Sequence, residues 1–260
     1  MKEFLDVTVL ATLQGVAEFL PISSSGHLVI GQRLLGLEIP GIRLDVFLHV
    51  GTLVAIFAFY RRTVVQIFSG LARGGRDAWV YVGKIMVSAI PAIVVYFLFR
   101  ARIDALFEDA KMVGALLMFT GAVLAGTRFI PQGKGAVNWA RALLMGCGQA
   151  VALLPGVSRS GMTLASARTG GVAPTEAAEF SFLMSAPLIA GAALLELIKS
   201  TGSSGGAAEI SWGMTLYGAA VASIVGYFSL ALLVRVLKGK RFWMFGPYCA
   251  IAGLATLWFC

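Results

Sequence analysis

Charge is what this chain of 260 residues has least of: Asp, Glu, Lys and Arg together make up 13% of it, against 58% hydrophobic residues. A soluble domain is about a quarter charged. With a mean hydropathy of +0.84, the composition is that of a polytopic membrane protein. Cysteine is also scarce. Cys147, Cys249 and Cys260 are an odd, unpatterned set, which excludes a disulfide framework or a metal knuckle and suits small buried hydrophobes. Residues 1–20 carry Lys2, Glu3, Asp6, Gln14 and Glu18, so no cleavable signal peptide is expected. Nucleic-acid-binding motifs and a basic amphipathic tail are missing too. The net charge of +8 is therefore read as basic cytoplasmic loops rather than a nucleic-acid surface.

What the chain has in abundance is long apolar runs. They fall at about 44–60, 78–99, 111–130, 177–198, 213–234 and 243–260, each near the roughly 20 residues needed to cross a bilayer. The loops after the first, third and fifth runs are clearly basic: Arg61 to Asp77, Arg128 to Arg141, and Arg235 to Arg241. The loop from Arg100 to Lys111 mixes signs, and Thr201 to Gly206 is almost free of base. Alternate loops are thus expected on the cytoplasmic side.

Two further regions, 4–36 and 139–170, are apolar but broken in the middle by Pro and Ser-Gly. Each half is too short to cross alone, and irregular backbone at membrane depth needs protein or a wet cavity around it. The expectation is two re-entrant helical hairpins entering from opposite faces. The chain then reads as an all-α membrane protein, with about six transmembrane helices and two hairpins in an inverted-topology repeat. It forms a single domain, 1–260, with one repeat over about 1–130 and the other over about 136–260. The repeat shows in Phe47-Leu48 against Phe182-Leu183 and in Ser88 against Ser223.

The chemistry lies in the breaks. The first reads Gln14-Gly-Val-Ala-Glu18-Phe-Leu-Pro21-Ile-Ser23-Ser24-Ser25-Gly26-His27, and the second carries Pro155-Gly156-Val-Ser158-Arg159-Ser160-Gly161-Met-Thr163. Glu or Arg at the centre of a membrane helix costs roughly 2.5–3.5 kcal/mol by insertion scales, so a partner or a ligand must offset Glu18 and Arg159. A purely structural ion pair is the plain alternative, but it would not need clustered hydroxyls and a histidine. Serines after Pro21 are N-cap candidates, and a new helix N-terminus there binds phosphate. Arg159 adds a planar fork for phosphate oxygens. It stands at the repeat position of Ser24, which favours Ser24 over Ser23 or Ser25 as a nucleophile, with His27 as its base. Direct attack by His27 or by water remains the alternative route. Glu18 could orient His27 or hold a divalent cation against phosphate. His49, near Asp45, reads as structural, and Glu176, Glu179 and Lys84 as interfacial.

These residues resemble the undecaprenyl-diphosphatase family, the integral-membrane bacitracin-resistance type. The likeness lies in both long motifs and in the spacing of Asp45 and His49-Val-Gly-Thr52, so it covers nearly the whole chain. It implies removal of one phosphate from undecaprenyl diphosphate, with a divalent cation (Mg2+ or Ca2+), in a bacterial plasma membrane, at a site opening outward. It also implies that Glu18, Ser24 and His27 are catalytic and that Ser158, Arg159, Ser160 and Thr163 grip the polyprenyl diphosphate. Our own reading adds Arg159 to the catalytic set, Gln14, Ser23 and Ser25 to the binding set, and Glu18 as the metal ligand. Gln14 stands where many members carry a first Glu, and a neutral amide is a weaker cation ligand. The competing class is a transporter or flippase of a phosphorylated polyprenyl lipid, for which the repeat architecture is equally suited. Sequence leaves the oligomeric state open, a homodimer included.

Overall fold

A computed structural model of the chain describes residues 2–28, 41–202 and 210–259. The helices in order are α1 (Lys2–Ala17), α2 (Gly41–Phe59), α3 (Arg61–Ala72), α4 (Arg76–Glu108), α5 (Ala110–Gly126), α6 (Trp139–Val151), α7 (Arg159–Thr169), α8 (Pro174–Gly202), α9 (Trp212–Lys238) and α10 (Phe245–Phe259). Residues 24–28 are also helical. Among the described residues there is no strand, only an isolated bridge between Gly135 and Val172. Several boundaries follow from side-chain caps. Asp109 accepts from Lys111 N at 2.9 Å and Met112 N at 3.2 Å, Asn138 from Arg141 N at 2.9 Å, and Ser211 from Met214 N at 3.3 Å.

Helices cover all six runs read as spans. Four are long and apolar enough to cross a membrane alone, and a fifth is the bent pair of α2 and α3. The chain is therefore an all-α, multi-pass membrane protein. Its outward residues agree: Phe97, Leu98, Phe228, Ile251 and Trp258 are all more than 60% exposed, which only lipid makes favourable. Residues 29–36 of the first expected hairpin and 203–206 of the fourth loop lie outside the described residues.

The segment after the first span departs from expectation. Arg61–Ala72 is a helix, not a loop, bent 81° from the helix before it. Val64 and Ile67 pack inward on the core, while Val65 and Phe68 are exposed. Thr63 Oγ1 donates to Glu179 on α8 at 3.0 Å, tying the bend in place. Glu176 and Lys84 do similar work nearby. Val137 N donates to Glu176 at 2.6 Å, and Lys84 Nζ donates to Val137 O at 2.7 Å.

With no hydrophobic drive between helices in lipid, close approach depends on small residues. Gly15 of α1 lies against Ala222 and Gly226 of α9, Gly51 of α2 against Ala219 of α9, and Gly146 of α6 against Ser88 of α4. In the seam between α5 and α10, Gly121 faces the Gly246 carbonyl and Gly114 faces that of Gly253, so the two helices run antiparallel. These two helices also grip the broken regions. Thr120 on α5 donates to Gly156 O at 3.0 Å and accepts from Ser158 N at 3.2 Å. Cys249 on α10 donates to Pro21 O at 3.4 Å.

Growing a side chain into that seam should separate the helices. Gly121→Val would put a Cβ 2.7 Å from the Gly246 oxygen, whereas Cβ at Gly126 meets nothing within 4 Å. Thermal unfolding in detergent should show Gly121→Val destabilised by about 1–3 kcal/mol and Gly126→Ala close to the parent.

Candidate active site

Each break turns the chain and starts a new helix with the same device. In the first, α1 ends at Ala17 and Pro21 interrupts the apolar run before helical residues 24–28. Ser23 Oγ accepts from Gly26 N at 3.3 Å and lies 3.3 Å from Ser25 Oγ. In the second, Ser158 Oγ accepts from Gly161 N at 3.1 Å and lies 3.3 Å from Ser160 Oγ. The repeat seen in the sequence thus recurs as a repeated hydrogen-bond pattern. Ser23 takes a left-handed conformation (φ 69°) and Gly156 does so at φ 86°. For a serine that conformation costs about 1–3 kcal/mol, and the cap it makes helps to hold it there. In the second region α7 folds back along α6, with Gly148 against Met162 and Ser166.

The two tips touch. A Cβ on Gly26 would stand 3.3 Å from Gly156 Cα. Glu18, just before the first break, is the meeting point of the polar groups. Its Oε1 takes the Arg159 Nη2 ion pair. Its Oε2 accepts from Ser24 Oγ at 2.8 Å and from Gln14 Nε2 at 3.1 Å. Ser24 and Arg159, equivalent in the repeat, therefore converge on one carboxylate. The ion pair is largely dry: the Arg159 and Glu18 side chains are 17% and 8% exposed. Arg159 also lies over the Phe182 ring at 5.9 Å, and Phe182 packs edge-on against Phe19.

Arg159 Nη1 is buried and, among the described residues, has no hydrogen-bond partner. Half of the guanidinium fork is thus committed to Glu18 and half is free for an anion. Around it stand two capped helix starts, whose N–H groups favour negative charge. Gln14 Oε1 is likewise buried without a partner. Its amide is oriented with Nε2 toward Glu18, the only orientation that avoids two facing oxygens.

Two expected residues take other positions. Ser24 hydrogen-bonds to Glu18 and not to His27. His27 Nδ1 lies 3.0 Å from Ser23 O, and its Nε2 lies 2.8 Å from the Tyr248 hydroxyl. The ring folds back along its own helical turn, so its second nitrogen points toward α10. Thr163 is fully buried behind the second tip, bonded to Arg159 O at 2.9 Å and to Ser181 Oγ at 2.6 Å. It braces Arg159 from behind. His49, bonded to Asp45 O at 2.9 Å, lies within electrostatic reach of Glu18 and Arg159. Thr120, Ser181, Cys249 and Tyr248 support the tips from distant parts of the chain and carry no local motif that would reveal them.

Among the described residues, no three His, Cys, Asp or Glu side chains gather as a metal site. The Glu18 carboxylate and the orphaned Gln14 Oε1 are two hard oxygen donors one turn apart on the chain. That set is sparse, and both Glu18 oxygens already accept from Arg159, Ser24 and Gln14, so a cation here would depend on substrate phosphates for most of its ligands.

Comparison with known proteins covers nearly the full length. The family described as bacitracin resistance protein BacA matches residues 7–255. The undecaprenyl-diphosphatase of Desulforapulum autotrophicum is 37% identical over 273 residues, 98% of this chain and 98% of the relative. That of Desulfosudis oleivorans is 39% identical over 267 residues, 96% of each. That of Methanosphaera stadtmanae is 35% identical over 280 residues, 99% of this chain and 98% of the relative.

Removing one member of the dry ion pair strands the other. Glu18→Gln should lower stability by about 3–5 kcal/mol. The double change Glu18→Leu with Arg159→Met should recover most of that loss in thermal unfolding, because neither charge is then left unpaired.

Proposed function

Since this chain belongs to the bacitracin resistance protein BacA family, we propose that it hydrolyses undecaprenyl diphosphate to undecaprenyl phosphate and inorganic phosphate at the meeting point of its two broken regions. It is a membrane phosphatase that recycles the lipid carrier of cell-wall synthesis, the activity through which bacitracin resistance arises. The observation that carries this reading is the pairing at Glu18: a serine hydroxyl donating to a carboxylate, beside an arginine with one free N–H edge. A carrier of phosphorylated lipid needs the arginine. It has no use for a serine held against a base.

The diphosphate enters with its terminal phosphate against Arg159 Nη1 and the two helix starts. Gln14, Ser23, Ser25, Ser158 and Ser160 line or shape that cradle. Ser24 Oγ attacks the terminal phosphorus while Glu18 Oε2 takes its proton. The bond from phosphorus to the bridging oxygen breaks, and undecaprenyl phosphate leaves. Water then attacks the phosphoserine and inorganic phosphate departs. The proton on Glu18 returns to Ser24. Spacing alone had suggested His27 as the base for Ser24. The hydrogen bonds favour Glu18 in that step; both His27 ring nitrogens are already engaged, by Ser23 and Tyr248, so the second proton of the attacking water stays on the departing phosphate. Such chemistry needs mostly positioning and charge stabilisation.

A divalent cation would be held mostly by the phosphate oxygens with Gln14 Oε1 beside them, and would supply neutralising charge. The basic loops favour a bacterial plasma membrane with the site open to the outer face. The two halves are read as an inverted-topology pair, which suits a site at their junction.

Protein purified in detergent should release inorganic phosphate from undecaprenyl diphosphate with no second compartment present. Arg159→Ala should lower that rate by about 10²-fold or more. With a terminally labelled substrate, label should accumulate on Ser24 in a slow-turnover variant and be absent from Ser24→Ala; unlabelled protein throughout would overturn the covalent route. Gln14→Glu should reduce the cation concentration needed for half-maximal rate by about tenfold, and an unchanged requirement would remove Gln14 from the cation site.

A further inference from the structure

The helix found in place of an expected loop has three distinct faces. α3 lies between the end of one span and the start of the next, bent 81° from α2. α2 has 19 residues, a rise of about 28 Å and near the thickness of the hydrocarbon by itself. α3 is therefore not needed for the crossing, and the bend lays it along the membrane surface. The chain then turns at Gly74 (φ 70°) and Gly75, whose N–H donates to Gly70 O at 2.8 Å, and re-enters as α4. On α3, Thr63, Val64 and Ile67 face the protein. Val65, Phe68 and Ala72 recur at intervals of three and four residues and form a second face. It is exposed, Val65 by 64% and Phe68 by 66%. Arg62, Gln66, Ser69 and Arg73 recur at four, three and four residues and form a third, polar face.

We infer that α3 is an interfacial helix that recognises anionic phospholipid: Val65 and Phe68 enter the acyl-chain boundary, while Arg62, Arg73 and Arg76 bind headgroup phosphates. A helix with one face on protein, one apolar and one basic is satisfied at the edge of a bilayer. Continuity identifies lipid as the occupant. The exposed apolar surface runs on from Phe68 to Trp79, Met86 and Ile90 of α4, a membrane-spanning helix. Trp79 is 59% exposed one turn into that helix, where an indole marks the headgroup level. Charge identifies the kind of lipid. Arg62, Arg73 and Arg76 are exposed and, among the described residues, enter no ion pair. Asp77 is the sole acid between Arg61 and Trp79, so the segment keeps a positive excess. Guanidinium forks match phosphate oxygens, and a basic cluster beside a span gathers anionic lipid.

A fluorescent label on Ala72→Cys, in full-length protein carrying Cys147→Ser and Cys260→Ser, reports on the lipid beside the arginines. The protein is reconstituted in phosphatidylcholine vesicles holding a small share of brominated phosphatidylglycerol or brominated phosphatidylcholine. The brominated phosphatidylglycerol should quench the label at about fivefold lower mole fraction. Adding Arg62→Gln, Arg73→Gln and Arg76→Gln should bring the two lipids within twofold. High salt should narrow the gap in the parent too, with every side chain in place. The same label on Ala105→Cys, in the loop of mixed charge, should show no preference. Equal quenching by both lipids beside Ala72 would overturn the inference. So would a preference that survives loss of the arginines, or one equally strong at Ala105. Quenching by aqueous iodide in place of brominated lipid would overturn it as well, and would leave the apolar face to a soluble partner.

Discussion

One carboxylate and one guanidinium, brought from two separate breaks in apolar helices, hold this structure's polar centre together. Glu18 and Arg159 each carry an insertion penalty of roughly 2.5–3.5 kcal/mol if left alone in a membrane helix. Side by side they offset much of it, but only while both breaks are bent to the right place. That requirement reaches outward through the fold. It explains the serine caps that start both new helices, the left-handed Ser23 and Gly156, and the contact of Gly26 with Gly156. A buried ion pair is not by itself a strong source of stability. Here it matters because its geometry leaves the rest of the arginine fork free and lends the carboxylate to a serine.

The same logic separates the site from an ordinary structural salt bridge. In a pair built only for stability, both edges of the guanidinium would be satisfied. Among the described residues, Arg159 instead keeps Nη1 buried and unpartnered, and Gln14 keeps a buried oxygen without a donor. Unsatisfied groups of this kind are expensive. Both belong to side chains that also bind the Glu18 carboxylate, where an anion with its counter-ion would relieve them. Stability is surrendered at the place where binding can restore it.

Much of this was legible in the sequence, for reasons that can be named. The spans are long apolar runs, and the bilayer sets their length, so hydropathy alone found α2, α4, α5, α8, α9 and α10. The tips were legible because Pro and Ser-Gly interrupt an apolar run in only a few ways. Glu18 and Arg159 came with them because charge in such a run is costly, and Ser24 because it stands at the repeat position of Arg159. Three features were hidden for different reasons. Arg61–Ala72 was read by its charges as a loop, although Val64 and Ile67 recur with helical spacing and pack inward. Spacing placed His27 beside Ser24, but it says nothing of ring direction, and the Ser23 carbonyl turns that ring away. Tyr248, Thr120 and Ser181 act across long separations in sequence, which no local motif encodes.

The glycine seam between α5 and α10 has a consequence for how this protein tolerates change. One helix grips the second tip through Thr120 and the other grips the first through Cys249 and Tyr248. The opposing backbone fills the space that a side chain at Gly121 or Gly246 would need. A genetic screen for inactive alleles should therefore recover lesions on this lipid-buried ridge, among residues that never meet phosphate. A single added methyl group there would pull apart two loops at once, and a drifting lineage could accept it only alongside a matching change across the seam.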